Sequence, residues 1–134
     1  MKKKVVEAHI ECNSSGFYSI YIEHGDLPFW FYGDGETIDK AQADFYAVYK
    51  DMREDYKKEH GVDVDAEFTF VYDTSALLQE YKDIISVKAL ADVTGISHVM
   101  LSQYARGIRH PRPAQRERII SGIHEVGRRC LAAR

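Results

Sequence analysis

Lys4 to Cys12, KVVEAHIEC, places Val6, Ala8, Ile10 and Cys12 on one side and Val5, Glu7, His9 and Glu11 on the other. A period of two predicts a half-buried β-strand. Asn13-Ser14-Ser15-Gly16 has turn chemistry, and Phe17 to Glu23, FYSIYIE, is rich enough in aromatic and β-branched residues to return as the second strand of a hairpin. Pro28 limits the next segment to a short strand, Phe29 to Tyr32, after which Gly33-Asp34-Gly35 reads as a turn. From about Thr37 the period changes: Ile38, Ala41, Phe45, Val48, Met52 and Tyr56 recur at spacings of 3 or 4, as one face of a long helix requires. That helix stops near His60-Gly61, and Asp65 to Tyr72, DAEFTFVY, alternates again as a fourth strand. The order is β-β-β-α-β, with the helical stripe covering one face of the sheet.

The remaining chain is helical in period. Ser86 and Ser97 each precede an apolar run, where a serine hydroxyl accepts from the free N–H groups of a first helical turn. Between the two runs, Thr94-Gly95-Ile96 supplies the break: Gly95 takes positive φ and Ile96 drops into the core. Two short helices around a glycine turn make a helix-turn-helix, and double-stranded DNA becomes the leading partner. On a helical wheel Ser97, Leu101, Tyr104 and Ala105 share the packing side of the second helix, and Val99, Ser102, Gln103 and Arg106 the free side. A last helix, Ala114 to Ala133, repeats Ile119, Ile120, Ile123, Val126, Cys130 and Leu131 in a stripe wide enough to pack on the motif and leave apolar surface for a partner. Gly122 and Gly127 within it suggest close packing.

Charge divides the chain the same way. Residues 1–80 carry 8 Lys and Arg against 17 Asp and Glu, a net of −9, whereas residues 81–134 carry 10 against 4, a net of +6. The basic half coincides with the helix-turn-helix, as attraction to phosphate demands. The fold class expected is therefore α+β, with an α+β protein-binding or oligomerisation module over residues 1–73 and an all-α DNA-binding domain over residues 74–134.

Candidate chemistry follows from the recognition helix. His98, Val99, Ser102 and Gln103 are the expected base readers: the Gln103 amide can pair bidentately with adenine, and Val99 can touch a thymine methyl. Lys88, Ser97, Arg106, Arg109 and Arg112 are expected at phosphates, setting affinity rather than sequence. Arg112, and Arg116 and Arg118 beyond it, divide evenly between that role and a solvated helix start. The other features call for no chemistry. Cys12 and Cys130 lie at opposite ends and read as small buried hydrophobes, and His9, His24 and His60 have no ligand spacing and read as surface residues. Gly33-x-Gly35 lacks the third glycine of a dinucleotide fingerprint. The carboxylates Glu7, Glu11, Asp26 and Asp34 do not sit as a two-metal nuclease would need them. No catalytic residue, metal or cofactor is expected. No apolar run approaches the roughly 20 residues of a membrane span, and the Met-Lys-Lys-Lys start leads into alternation, so a cytoplasmic protein is expected.

Leu90-Ala91, Gly95-Ile96-Ser97, Leu101, Gly107 and Pro111 resemble the Xre or phage-repressor type of helix-turn-helix. The pattern departs at Ala105, where that family often has a glutamate tying the helix end to the domain. In the first half, Asp26-Leu27-Pro28 and Gly33-Asp34-Gly35-Glu36-Thr37, between an aromatic strand and a helix, resemble the HicB antitoxin family, with Phe29 where many members have glycine and Lys40-Ala41 where they have Glu-Ala. This resemblance implies a reduced ribonuclease H-like module joined to a DNA-binding domain, a homodimer or tetramer that represses its own promoter, and a small basic RNA-cleaving toxin as protein partner. The alternatives are a repressor without a toxin, an interaction protein that has lost DNA binding and, least favoured, a ribonuclease H-like nuclease.

Overall fold

The computed structural model describes residues 3–134, within which the chain is α+β, with a four-stranded mixed sheet and five helices. It divides into two compact units, Met1–Asp73 and Thr74–Arg134.

In the N-terminal unit, β1 (Lys4–Cys12) and β2 (Tyr18–Ile22) form the hairpin, with Ile10 opposite Ile20. The turn is built by Asn13, whose Oδ1 accepts from the backbone N–H of Ser15 at 2.9 Å and of Phe17 at 3.1 Å, while Gly16 takes φ 85°. This is the Asx chemistry that favours asparagine in turns. Helix α1 (Ile38–His60) starts at Thr37, whose hydroxyl accepts from Lys40 N at 3.1 Å, and ends at Gly61 in the left-handed region. It carries the chain back to β4 (Ala66–Tyr72), which lies parallel to β1 with Val6 opposite Phe68. A parallel neighbour needs such a crossover, and a helix is its usual form.

The third strand is not where the hydrophobic pattern places it. β3 is Tyr32–Gly35, paired antiparallel to β2 with Ile20 opposite Gly33, so the sheet order is β3-β2-β1-β4. Phe29 to Phe31 lie outside any strand, and Leu27 and Phe31 turn into the core. The residues read as a turn are the strand because α1 passes directly over them. A Cβ on Gly33 would collide with the backbone of Phe45, and one on Gly35 with that of Lys40 and Ala41.

The core between α1 and the sheet is aromatic. Phe45 packs 4.7 Å from Phe31 and 4.9 Å from Phe68, centroid to centroid, and Tyr49 lies 5.0 Å from Phe68. Tyr49, absent from the expected stripe, is buried where Val48 and Met52 are only half-buried. Its hydroxyl donates to Val64 O at 2.7 Å and accepts from Ala66 N at 2.9 Å, so a polar tip is satisfied at the start of β4.

The C-terminal unit contains α2 (Thr74–Tyr81), α3 (Val87–Thr94), α4 (His98–Ala105) and α5 (Pro113–Leu131). Its core joins Leu78, Ile85, Leu90, Ile96, Leu101, Tyr104 and Ile119. The sequence pattern did not yield α2, a two-turn helix contributing Ala76 and Leu78 to the interior. Of the two glycines in α5, only Gly122 is close-packed: a Cβ there would sit 2.5 Å from Thr94 Cγ2, whereas one on Gly127 would meet nothing within 4 Å. Cysteine burial also splits, with Cys12 buried on β1 and Cys130 exposed near the end of α5. The last turn of α5 has left the core, so the thiol packs against little, and Leu131 is 89% exposed.

Candidate nucleic-acid interface

Helices α3 and α4 have eight residues each, too short to persist alone in water. Their ends are accordingly well satisfied. Ser86 Oγ accepts from Ala89 N at 3.0 Å and Ser97 Oγ from Met100 N at 3.1 Å, while Gly95, at φ 72°, donates its N–H to Ala91 O. Ile96 is buried beneath the turn. Buried Thr94, whose role the pattern did not reveal, donates to Leu90 O at 2.6 Å and accepts from Ile96 N at 3.1 Å, so one hydroxyl stitches both sides of the break.

Two further side chains lock the motif from outside. Arg118, on α5, donates to Thr94 O at 2.6 Å and places a cation at the negative end of α3. Gln79, on α2, donates its Nε2 to Ala105 O at 2.8 Å. The polar tie that the resemblance assigns to a glutamate is thus made here to the backbone of Ala105, by a residue from another helix. Arg116 donates to Thr74 Oγ1 at 3.1 Å. Both arginines are therefore engaged within the unit, a third role beside the two the sequence left open.

The expected site residues distribute as follows. Leu101 and Tyr104 face the core. His98 and Val99 stand exposed at the N-terminal end of α4, Val99 with 65% of its surface in solvent. Ser102 and Gln103 are half-buried. Gln103 differs from expectation in one respect: its Oε1 is buried and has no hydrogen-bond partner among the described residues. A bidentate contact to adenine therefore needs the amide to rotate outward. Lys88, Arg106, Arg109 and Arg112 are all exposed, and Ser97, also exposed, uses its oxygen as the cap while keeping a proton to donate. Gly107, at φ 70°, turns the chain out of α4 immediately after Arg106. Beyond it Arg109, His110 and Arg112 border, with Met100, Tyr104 and Gln115, an open concavity of about 620 Å³. Exposed cationic groups therefore cluster around the C-terminal end of α4 and the loop that follows it.

Elsewhere, the described residues contain no group of three or more His, Cys, Asp or Glu side chains able to hold a metal ion, and no helix long and apolar enough to cross a membrane. His9 is half-buried, not a plain surface residue: it stacks on Tyr21 at 5.4 Å with its Nε2 3.4 Å from Glu23. His24 stacks on Trp30 at 4.9 Å, and His60 lies 4.3 Å from Tyr56. Comparison with protein-family models, with curated proteins and with solved structures found no match.

Proposed function

We propose that the chain is a sequence-specific DNA-binding transcriptional regulator and, within that class, an antitoxin of the HicB type that represses its own promoter and neutralises a small basic toxin. One observation carries the DNA-binding part: two capped eight-residue helices meet at a left-handed Gly95, and the second opens on exposed His98 and Val99. In this arrangement the N-terminal end of α4 enters the major groove and Arg106, Arg109 and Arg112 reach phosphates on either side. Gln103 joins by turning its amide outward. Rotation would bring its buried, unpaired amide oxygen to the surface, where a base edge could pair with it. The antitoxin part is supported by the layout of residues 16–56 and by the acidic balance of the first half, which suits a basic protein partner. As a homodimer the protein reads a two-fold operator with half-sites about 10–10.5 base pairs apart, or a multiple of that.

The test is an electrophoretic mobility shift on the protein's own promoter across a salt series. Arg106→Ala is expected to weaken binding to all sequences alike and to reduce the salt slope by about 0.9. Gln103→Ala is expected to lower the preference for operator over random DNA by roughly tenfold, the lower part of the range for one bidentate contact. If neither substitution alters a specific complex, the recognition face is misassigned. A short basic reading frame beside this gene, toxic alone and silenced by co-expression, supports the antitoxin. Its absence leaves a repressor acting alone.

A further inference from the structure

Helix α1 covers one face of the sheet, and among the described residues no other helix of the N-terminal unit lies over the opposite face. The strand registers run a continuous row across it: Tyr32 on β3 lies opposite Tyr21 on β2, Tyr21 opposite His9 on β1, and His9 opposite Val71 on β4. The next row is polar, with Asp34 opposite Ser19 and Ser19 opposite Glu11. Trp30 leans over the edge of these rows, 5.5 Å from Tyr32, with its indole N–H fixed on Ile22 O at 2.6 Å. Glu11, Ser19, Tyr21, Trp30 and Tyr32 together line an open concavity of about 330 Å³. Trp30 is 39% and Tyr32 50% exposed, so two large rings adjoin on this open face.

Charge selects the occupant. No residue at these row positions, or at Val5, Glu7, Glu67 and Thr69 on the same face, is Lys or Arg, whereas carboxylates border the rings at Glu11, Glu23 and Asp34. The Tyr21 phenol feels this field: burial first, then the carboxylates of Glu11, Asp73 and Glu23, hold its pKa above the ordinary value. An aromatic sheet face is a platform for stacking nucleic-acid bases, but here no lysine or arginine stands at these positions to hold phosphates, and the carboxylates of Glu11, Glu23 and Asp34 outnumber the imidazoles of His9 and His24 stacked on Tyr21 and Trp30. A second copy of the same face would set like charges against each other. A guanidinium satisfies both features, since it stacks flat on aromatic rings and pairs with carboxylates through a planar fork.

We propose that this open sheet face is a docking surface for an arginine-bearing basic segment of a partner protein, with a guanidinium laid against Trp30 and Tyr32 and paired with the carboxylates of Glu11 and Asp34. The inference rests on the reading of residues 1–73 as the protein-binding half and locates that function on one surface.

Fluorescence anisotropy of a labelled eight-residue peptide of alternating arginine and glycine, titrated with the full chain, tests it. Trp30 is the sole tryptophan, so its emission should change as the peptide saturates. Trp30→Ala should weaken binding about tenfold, between the scales of an exposed and a desolvated cation–π contact, as suits a ring that is 39% exposed. Tyr32→Ser, which leaves the Trp30 to Ile22 bond in place, and Glu11→Gln should each weaken it severalfold, and a lysine-glycine peptide should bind less tightly than the arginine one. Glu54→Gln, an exposed position on α1, should change nothing. Equal binding by wild type, Trp30→Ala and Tyr32→Ser, with loss in Glu54→Gln, overturns the surface while leaving the N-terminal unit as the protein-binding half. Failure of every variant and the wild type to bind either peptide overturns both. A smaller assembly in Trp30→Ala than in wild type makes the face a self-interface, and displacement of the peptide from Trp30 by a thymine oligonucleotide makes it a base platform; either result overturns the proposal.

Discussion

Helix α1 runs for 23 residues over a sheet, whereas α3 and α4 run for eight each, and the two units are held by different means. The long helix lies so close to β3 that glycine is the only residue Gly33 and Gly35 can be. Stability there comes from broad apolar contact under one element, with Phe31, Phe45 and Phe68 at its centre. The short helices instead depend on their ends: two serine caps, a left-handed glycine, the Thr94 hydroxyl, Arg118 and Gln79. A packed sheet tolerates the loss of a single polar bond, but an eight-residue helix has few other bonds to rely on. The N-terminal unit is thus held by broad packing, and the C-terminal unit fixes two short helices by their ends.

The contrast breaks most visibly at the glycines. Gly33→Val should destabilise the N-terminal unit by about 3 kcal/mol or more, because overpacking here is against backbone and cannot be relieved by a rotamer change. Trp30 fluorescence in a urea titration reports that unit alone, since the C-terminal unit has no tryptophan; an unchanged midpoint would show that α1 does not sit on β3 as described.

Gly122→Ala and Gly127→Ala, five residues apart on α5, should differ in sign. The first should cost about 1–2 kcal/mol from its clash with Thr94, net of the helix propensity gained, and the second should stabilise by about 0.5–1 kcal/mol because nothing opposes the added methyl. Helix circular dichroism against temperature distinguishes them. Ser97→Ala, removing the cap of α4, should cost about 1 kcal/mol, while the same loss at Thr37 should matter less, since α1 is anchored along its length. Thermal melts of the two cap variants decide whether end effects dominate the short helices only.

The smallest effect belongs to a surface pair. Arg53 grips Asp63 through two bonds, at 2.6 and 2.8 Å, and holds its carboxyl below the usual range. A depressed folded pKa contributes stability above the unfolded value and loses it as pH falls through the folded one. The melting difference between wild type and Arg53→Met should therefore be steady from pH 7 to 5 and shrink below about pH 4.

Local rules made much of this legible. Strand β1 has the bounds its alternation gives, α1 begins after the expected Thr37 and ends at the expected Gly61, and both serine caps and the Gly95 break are where the pattern puts them. These features depend on residues close along the chain, so their physics is written in order. The misreadings share the opposite origin. β3 moved because Gly33 and Gly35 answer to the following helix, Gly33 to Phe45 and Gly35 to Lys40 and Ala41, whose backbone passes over them in space. Tyr49 displaced Val48 in the core because its hydroxyl finds partners at the start of β4. The four-residue row through Tyr32, Tyr21, His9 and Val71 also escaped the pattern, since three registers must be known before it exists.

By itself, then, the sequence determined β1, α1 and the helix pair α3 and α4 with their caps and break, together with the charge division. Each of these follows from local backbone preference, a short hydrophobic period or simple composition. Only the tertiary structure decided which glycines are pinned by a neighbour, which arginines are spent inside the C-terminal unit, that Gln103 holds its amide oxygen inward, and that aromatic and acidic residues from separate strands share one open face. Those are contacts between residues far apart in the chain, and no local preference encodes them.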